Sequence, residues 1–199
     1  MMKMMVLGVL MASAAAGFAQ ESRQDVSLSA IGALSPQVNG NAVQVNPRKF
    51  AALGFLGSYR YMLTPRSALE LNYAFDQSTS HYRGSSYDYN IHFRQQEITG
   101  AYVYSLTFGN FSPFAEAGVG ALIFSPIKDF GTTTLDLKQN TNIGGLFGGG
   151  VAYELSPSFD IRAEYRGFVA KTPDFGLDRL KTNRYQVVST PAIGIAYHF

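Results

Sequence analysis

The sequence predicts an all-β protein: an eight-stranded antiparallel up-and-down transmembrane β-barrel, preceded by a cleavable signal peptide. Three observations lead to this fold class. Apolar and polar residues alternate with a period of two through most of the chain, most regularly over 67–76. The alternating segments are joined in turn by long polar stretches and by tight turns. The final alternating segment ends on Phe199, with an apolar residue at every second position before it.

The first 19 residues have the three-part pattern of a secretory signal peptide. Lys3 gives a positive start, residues 4–16 are apolar or small, and Gly17 and Ala19 supply small residues for cleavage. A membrane anchor is the less favoured alternative, because the apolar run is short for a bilayer. We therefore expect cleavage after Ala19, which leaves residues 20–199 as one barrel domain.

The amino-acid composition limits the classes of protein to which the mature chain can belong. The chain is 46% hydrophobic and 15% charged, with 20 Gly, 12 Tyr, 15 Phe and no Cys. Lipid attachment through cysteine and a disulfide framework are therefore excluded. Loss of Lys3 with the signal peptide lowers the net charge from +2 to about +1, which does not suggest a nucleic-acid partner.

Eight strands are predicted. Pro65, Gly109 and Pro157 mark the short turns, and Pro191, which cannot donate a backbone hydrogen bond, predicts a local break or bulge in the last strand. The long polar links then lie outside the cell and both termini are periplasmic. The predicted strands are residues 25–34, 49–63, 67–76, 88–108, 112–124, 143–154, 159–169 and 185–199.

Charged residues decide which face of the barrel points inward. A soluble eight-stranded barrel also alternates, but its apolar face lines the interior. In a bilayer, an arginine facing lipid at the midplane costs about 2–4 kcal/mol. The interior of an eight-stranded barrel is just wide enough for side chains, so we expect the charges to form an ion network that plugs the lumen. Its predicted members are Arg60, Glu70, Glu97, Glu116, Arg162, Glu164 and Arg166.

The last strand resembles the C-terminal assembly signal of bacterial outer-membrane barrels, through Ile193, Ile195, Tyr197 and Phe199. The chain as a whole resembles the small outer-membrane β-barrel family, the OmpA-type transmembrane domain and its OmpX- and opacity-like relatives. The segments that carry this resemblance are 114–120, 148–157, 161–166 and 193–199. It implies residence in the outer membrane of a Gram-negative-type bacterium, in contact with outer-membrane lipid. It also implies the barrel-assembly machinery and periplasmic chaperones as partners during biogenesis.

No catalytic, cofactor or metal site is predicted. The histidines are His81, His92 and His198, and no strand carries a His-x-Ser pattern like that of the lipid A deacylase barrels. A lipid-modifying enzyme is therefore a remote alternative. Glu97 and Glu116 offer an acid–base pair, but the neighbouring arginines favour a structural network.

One outer loop has the composition of an adaptable binding surface. Its candidate residues for contact with an extracellular ligand are His81, Tyr82, Arg83, Tyr87 and Tyr89. The predicted function is a non-enzymatic barrel with a plugged polar lumen and long surface loops, serving envelope structure or surface interaction. A small pore for ions or small solutes is the alternative.

Overall fold

A computed structural model of the chain describes residues 23–40, 43–47, 52–85, 88–128 and 136–199. The predicted signal peptide lies outside these ranges. Within them, no helix is long and apolar enough to cross a membrane.

The described residues form ten strands, and eight of these make a closed antiparallel ring. Each ring strand pairs with its neighbours in sequence, and β1 pairs with both β4 and β10, so the ring has no free edge. The predicted eight-stranded antiparallel barrel is confirmed. The strands are β1 (Gln24–Ala33), β2 (Val38–Asn39), β3 (Val43–Pro47), β4 (Ala52–Thr64), β5 (Ser67–Gly84), β6 (Asp88–Ser105), β7 (Phe111–Pro126), β8 (Asn140–Ser156), β9 (Phe159–Lys171) and β10 (Tyr185–His198).

The two ends of the ring differ. At one, the turn end, β4, β6 and β8 pass through tight turns into the following strand. Gly109 lies in the second of these turns with φ +60°, a conformation that favours glycine. At the other, the loop end, three of the connections are long, whereas residues 85–87 alone join β5 to β6. One of them contains the hairpin β2–β3, and another contains a 3-10 turn at Asp178–Leu180.

The outward face of the ring is apolar, and the inward face carries the charged residues. Leu28, Leu53, Ile143 and Ile193 are 65%, 85%, 82% and 62% exposed. Such a continuous apolar surface requires an apolar surrounding. The alternative of a soluble barrel with an apolar interior does not fit this orientation.

Several segments predicted as polar loops are ordered. Residues 77–87 were expected to be a loop, but β5 continues to Gly84 and pairs with β6 from Asp88 onward. The first long link contains β2 and β3, and β3 pairs with β5 beyond the start of β4. These strands form because Val38, Val43 and Val45 have an apolar cluster to pack against.

Pro191 interrupts one ladder and not the other. The pairing of β10 with β9 runs through Pro191↔Tyr165 without a register shift, so there is no bulge. The β1–β10 ladder ends at Ile31↔Ala192, and an isolated bridge, Leu34↔Ser189, resumes the same register. The predicted break therefore lies in the closing seam, where proline lacks the N–H that β1 would need.

Candidate functional site

Charged side chains that strand alternation turns inward lie buried in the middle of the barrel interior. The group nearest the turn end joins four strands, β1, β4, β5 and β9. Arg60 Nε donates to Glu70 Oε2 at 2.7 Å, and Arg162 Nη2 donates to Asp25 Oδ1 at 3.2 Å. Arg162 Nη1 also lies 3.9 Å from Glu70 Oε2. Phe114 lies beneath both guanidinium groups, with its ring centroid 5.0 Å from Arg60 Cζ and 5.9 Å from Arg162 Cζ.

A second group of charges is centred on Arg166. Its Nη2 donates to Glu97 Oε1 at 2.9 Å and to Thr99 Oγ1 at 3.2 Å. Its Nε lies 3.2 Å from Glu116 Oε1. Gly148 makes room for this arrangement, because a Cβ at that position would lie 2.5 Å from Glu116 Oε1.

All seven interior residues named from the sequence are buried, and the structure brings six of them into ion pairs. The seventh, Glu164, is 8% exposed and lies on β9 between Arg162 and Arg166. Two buried carboxylates, Asp25 and Asp76, were missed. Alternation places both on the polar face of their strands, and that signal could have identified them.

A buried apolar cluster lies in the interior at the loop end. It combines inward residues of the ring strands with residues from the loops. The Phe175 ring packs 6.1 Å from Tyr82 and 5.7 Å from Phe93, centroid to centroid. Phe175 has φ +50°, which strains a bulky residue, so burial of its ring must offset the backbone cost. The buried members are Val38, Val43, Val45, Tyr82, Ile91, Phe93, Ala101, Leu122, Phe124, Leu146, Phe168, Ala170, Phe175, Leu180 and Val188.

A cavity of about 10 Å³, room for about one water molecule, lies beside this cluster at the loop end. Its lining is mixed: Gln95, Gln186 and Ser80 meet Phe93 and Phe124 there. Polar and apolar side chains of the interior therefore meet around this cavity.

The candidate surface loop is divided between exposed and buried positions. Arg83 is exposed and pairs with Asp88 at 3.3 Å, and His81 is half-buried. Tyr82 is fully buried, and its hydroxyl donates to the Pro173 carbonyl at 2.9 Å, so it is a core residue that cannot contact an external ligand. Tyr89 packs against the apolar cluster. The fifth candidate, Tyr87, lies outside the described residues.

The four residues of the C-terminal signal lie on the closing seam. Ile193, Ile195 and Tyr197 stand opposite Ala30, Leu28 and Val26 of β1. The Phe199 N–H donates to the Gln24 carbonyl at 3.0 Å, and its ring stacks 6.0 Å from that of Tyr197. The C-terminal residues therefore fix the last strand to the first.

A histidine–carboxylate pair lies at the turn-end rim. His198 Nε2 lies 2.8 Å from Asp160 Oδ2, which is a pair and not a triad with a nucleophile. Among residues 23–40, 43–47, 52–85, 88–128 and 136–199, no group of three or more His, Cys, Asp or Glu is arranged to hold a metal ion.

Comparison with protein families gives one match that covers almost the whole chain. The model of the outer membrane protein β-barrel domain matches residues 5–199. No curated protein matches the chain in sequence.

Several solved structures share this fold at low sequence identity. OprG of Pseudomonas aeruginosa has a TM-score of 0.66 and 14% identity, over 90% of this chain and 97% of its own. Neisserial surface protein A has a TM-score of 0.58 and 18% identity, over 89% and 98%. Ail of Yersinia pestis, in complex with the heparin analogue sucrose octasulfate, has a TM-score of 0.56 and 17% identity, over 90% and 100%.

Proposed function

We propose that this chain, which belongs to the outer membrane protein β-barrel domain family, is a non-enzymatic barrel of the bacterial outer membrane whose interior is closed to solutes. The supporting observation is the double filling of the interior. Ion pairs bridge β1, β4, β5 and β9 in the middle, and the apolar cluster occupies the loop end. An open pore needs a continuous aqueous path, and these side chains lie across it.

Planar-bilayer recording of the refolded full chain tests this closure. We expect no steady single-channel steps, because an ion would have to displace both fillings. Steady steps whose size changes in Glu116→Gln or Arg162→Gln would establish the small pore instead. Lipid turnover that is lost in His81→Ala would establish the enzyme.

We propose further that the loop end faces the cell exterior and that both termini are periplasmic. The chain lacks cysteine, so a single introduced thiol reports its own side of the membrane. Ser85 is exposed at the loop end, and Arg66 is exposed at the turn end. On intact cells, a membrane-impermeant maleimide should label Ser85→Cys and spare Arg66→Cys, while both are labelled after lysis. The reverse pattern on intact cells contradicts the orientation.

Surface interaction through the long loops is the role that this orientation favours. The β5–β6 hairpin extends beyond the start of β4 and exposes Arg83 and Asp88. Since Tyr82 belongs to the apolar cluster, a deletion of the hairpin would disturb the interior as well, and a point substitution is the cleaner change. Arg83→Ala should weaken binding of purified protein to immobilised heparin, a polyanion chosen as the probe. Arg66→Ala, at the opposite end, is the matched control, and equal retention of both variants contradicts a role for this hairpin.

The last strand serves assembly in this proposal. Removal of Phe199 takes away its backbone bond to Gln24 and its contact with Tyr197. We expect less folded protein in the outer membrane of living cells and nearly normal refolding into detergent, because only the first depends on the assembly machinery. The folded fraction is read from heat-modifiable gel mobility. An equal loss in both settings would mean that Phe199 acts through stability alone.

A further inference from the structure

The outward face of the ring carries few charged side chains, and their signs are uneven. Strand alternation turns the carboxylates of the described ring strands inward, with the exception of Asp88. In the part of the chain that the structure describes, the charged residues at outward strand positions are Arg83, Asp88, Arg94 and Lys171. Since Arg83 pairs with Asp88, the outward charges that remain uncompensated are both positive.

Arg94 lies on β6 and points away from the barrel interior. Its chain neighbours Phe93 and Gln95 are buried, whereas Arg94 itself is exposed. Among the described residues, no carboxylate oxygen lies within 4.0 Å of its guanidinium group. The N–H donors of this guanidinium are therefore available to an anion outside the chain.

Two further hydrogen-bonding side chains stand beside Arg94. Strand register places Gln77 of β5 opposite Arg94 on one side and Ser125 of β7 opposite it on the other. Opposite residues of neighbouring strands project from the same face, and the strands lie about 4.8 Å apart. Gln77, Arg94 and Ser125, here called the donor row, therefore span about 10 Å of the outward face and include no acidic group.

The donor row borders directly on the apolar outward face. Toward the turn end, the next two outward rows of the same strands are Phe75, Gln96 and Ile123, and then Tyr73, Ile98 and Ala121. In these two rows, the Gln96 carbonyl already accepts a hydrogen bond from the Tyr73 hydroxyl at 3.2 Å. A ligand that is anionic at one end and apolar along the rest of its length matches this order of side chains.

We propose that the donor row binds the phosphate group of one membrane lipid, whose acyl chains lie on the two adjoining rows. A guanidinium group binds phosphate through charge-assisted hydrogen bonds, and amide and hydroxyl groups donate to the remaining oxygens. A lipid is favoured over a free anion because only a lipid gains apolar contact with the adjoining rows. This inference rests on the orientation proposed above, in which the loop end of the apolar face meets the headgroups of the outer leaflet.

Lipid binding by the purified protein tests the donor row. The refolded full chain in detergent is titrated with phosphatidic acid, and native mass spectrometry counts the lipid molecules that stay bound. We expect Arg94→Gln to weaken binding of the tightest lipid about tenfold, because it removes the charge-assisted hydrogen bonds. Gln77→Leu and Ser125→Ala keep the charge, and each should weaken binding about threefold. Diacylglycerol with the same chains, which lacks the phosphate, should not bind to saturation.

Lys181→Gln is the matched control, since it removes one positive charge from the loop end outside the ring strands, and it should bind lipid as wild type. An equal loss in this control overturns the proposal, because net charge alone then attracts the lipid. So does equal binding by the wild type and Arg94→Gln. Displacement by inorganic phosphate beyond that by sodium chloride of equal ionic strength also overturns it, because the site then holds free phosphate. Binding in detergent does not depend on which end faces the cell exterior, so the thiol labelling described above tests the orientation separately.

Discussion

The charged middle of the barrel and the apolar cluster at its loop end are built in two different ways within one interior. In the middle, the side chains come from ring strands, and their partners are set by strand register. At the loop end, Phe175 and Leu180 come from a connecting segment, and Val38, Val43 and Val45 come from or flank the β2–β3 hairpin. The charged middle is therefore held together by ion pairs between positions that strand register fixes. The apolar cluster is held together by loop residues that pack on the inward side chains of the ring.

The energetics of the two regions differ accordingly. A buried ion pair adds little over a well-packed apolar pair, but loss of one partner leaves a charge that nothing compensates. An apolar cluster loses free energy roughly in proportion to the atoms removed. In the charged middle, the effect of one substitution on the free energy of unfolding should therefore depend strongly on other substitutions nearby. At the loop end, a substitution should destabilise only its surroundings.

The largest effect is expected from Glu70→Leu. It leaves Arg60 buried without its partner, and the expected loss in free energy of unfolding is about 3–5 kcal/mol. Urea unfolding in lipid vesicles, followed by circular dichroism, measures it. The double variant, which combines Arg60→Leu with Glu70→Leu, should lose much less free energy of unfolding than Glu70→Leu alone. A double variant less stable than the single one would show that the pair itself, and not the uncompensated charge, is what matters.

Phe175→Ala should come next, with a loss of about 3 kcal/mol in the opening free energy of the loop end. The change removes the ring contacts with Tyr82 and Phe93 and keeps the strained backbone. Amide hydrogen exchange should accelerate in the β2–β3 hairpin and stay unchanged in the part of the β9–β10 ladder near the turn end. Phe175→Gly should recover about 1 kcal/mol relative to the alanine variant, because glycine accepts this φ. Faster exchange throughout the ring would contradict local action.

Gly148→Ala tests the fit between β8 and the Arg166 group. The new methyl group would lie 2.5 Å from Glu116 Oε1 and 2.9 Å from the Tyr165 carbonyl. Overpacking of this kind costs about 1–3 kcal/mol. Gly145→Ala on the same strand is the control, since its Cβ would come no closer than 3.9 Å to another residue. Equal unfolding free energies for the two variants would mean that Glu116 moves aside freely.

The smallest effect is expected for the exposed pair Asp178–Lys181 at the loop end. The hydrogen bond from Lys181 lowers the pKa of Asp178 below its usual value. Because the folded pKa is the lower one, any contribution is present above the unfolded pKa and is lost as the pH falls through the folded pKa. Asp178→Asn should leave the unfolding midpoint at neutral pH unchanged, because solvent screens the pair. A clear shift would mean that the loop-end segment depends on charge as the middle does.

The ring strands were predictable because alternation and turn residues act locally. Pro65, Gly109 and Pro157 mark turns that the structure contains, and the charges named from alternation face inward. The partners of those charges were not predictable. Asp25 pairs with Arg162 across the closing seam, and the stagger of a ring cannot be read from one strand at a time.

The packing of the loop-end segments was the larger part of the structure that the sequence did not predict. Residues 35–48 and 170–183 carry Gly, Pro and polar residues, so they were predicted as loops. Their few apolar residues, such as the Val43 and Val45 pair and Leu180, form runs too short to predict a strand. They are buried because the ring presents inward Phe93, Phe124 and Phe168 at that level. Local patterns cannot report such tertiary packing.

The closing seam also has a consequence for folding kinetics. Asp25 and His198 stand opposite each other although nearly all of the described chain separates them. Every other ring pairing except β1–β4 joins strands that are neighbours in sequence, so those hairpins can form early with small loop-closure entropy. Ring closure has the highest contact order of all the pairings and must come late. Until it occurs, β1 and β10 are both exposed edges, and the half-completed sheet is the species most prone to aggregate.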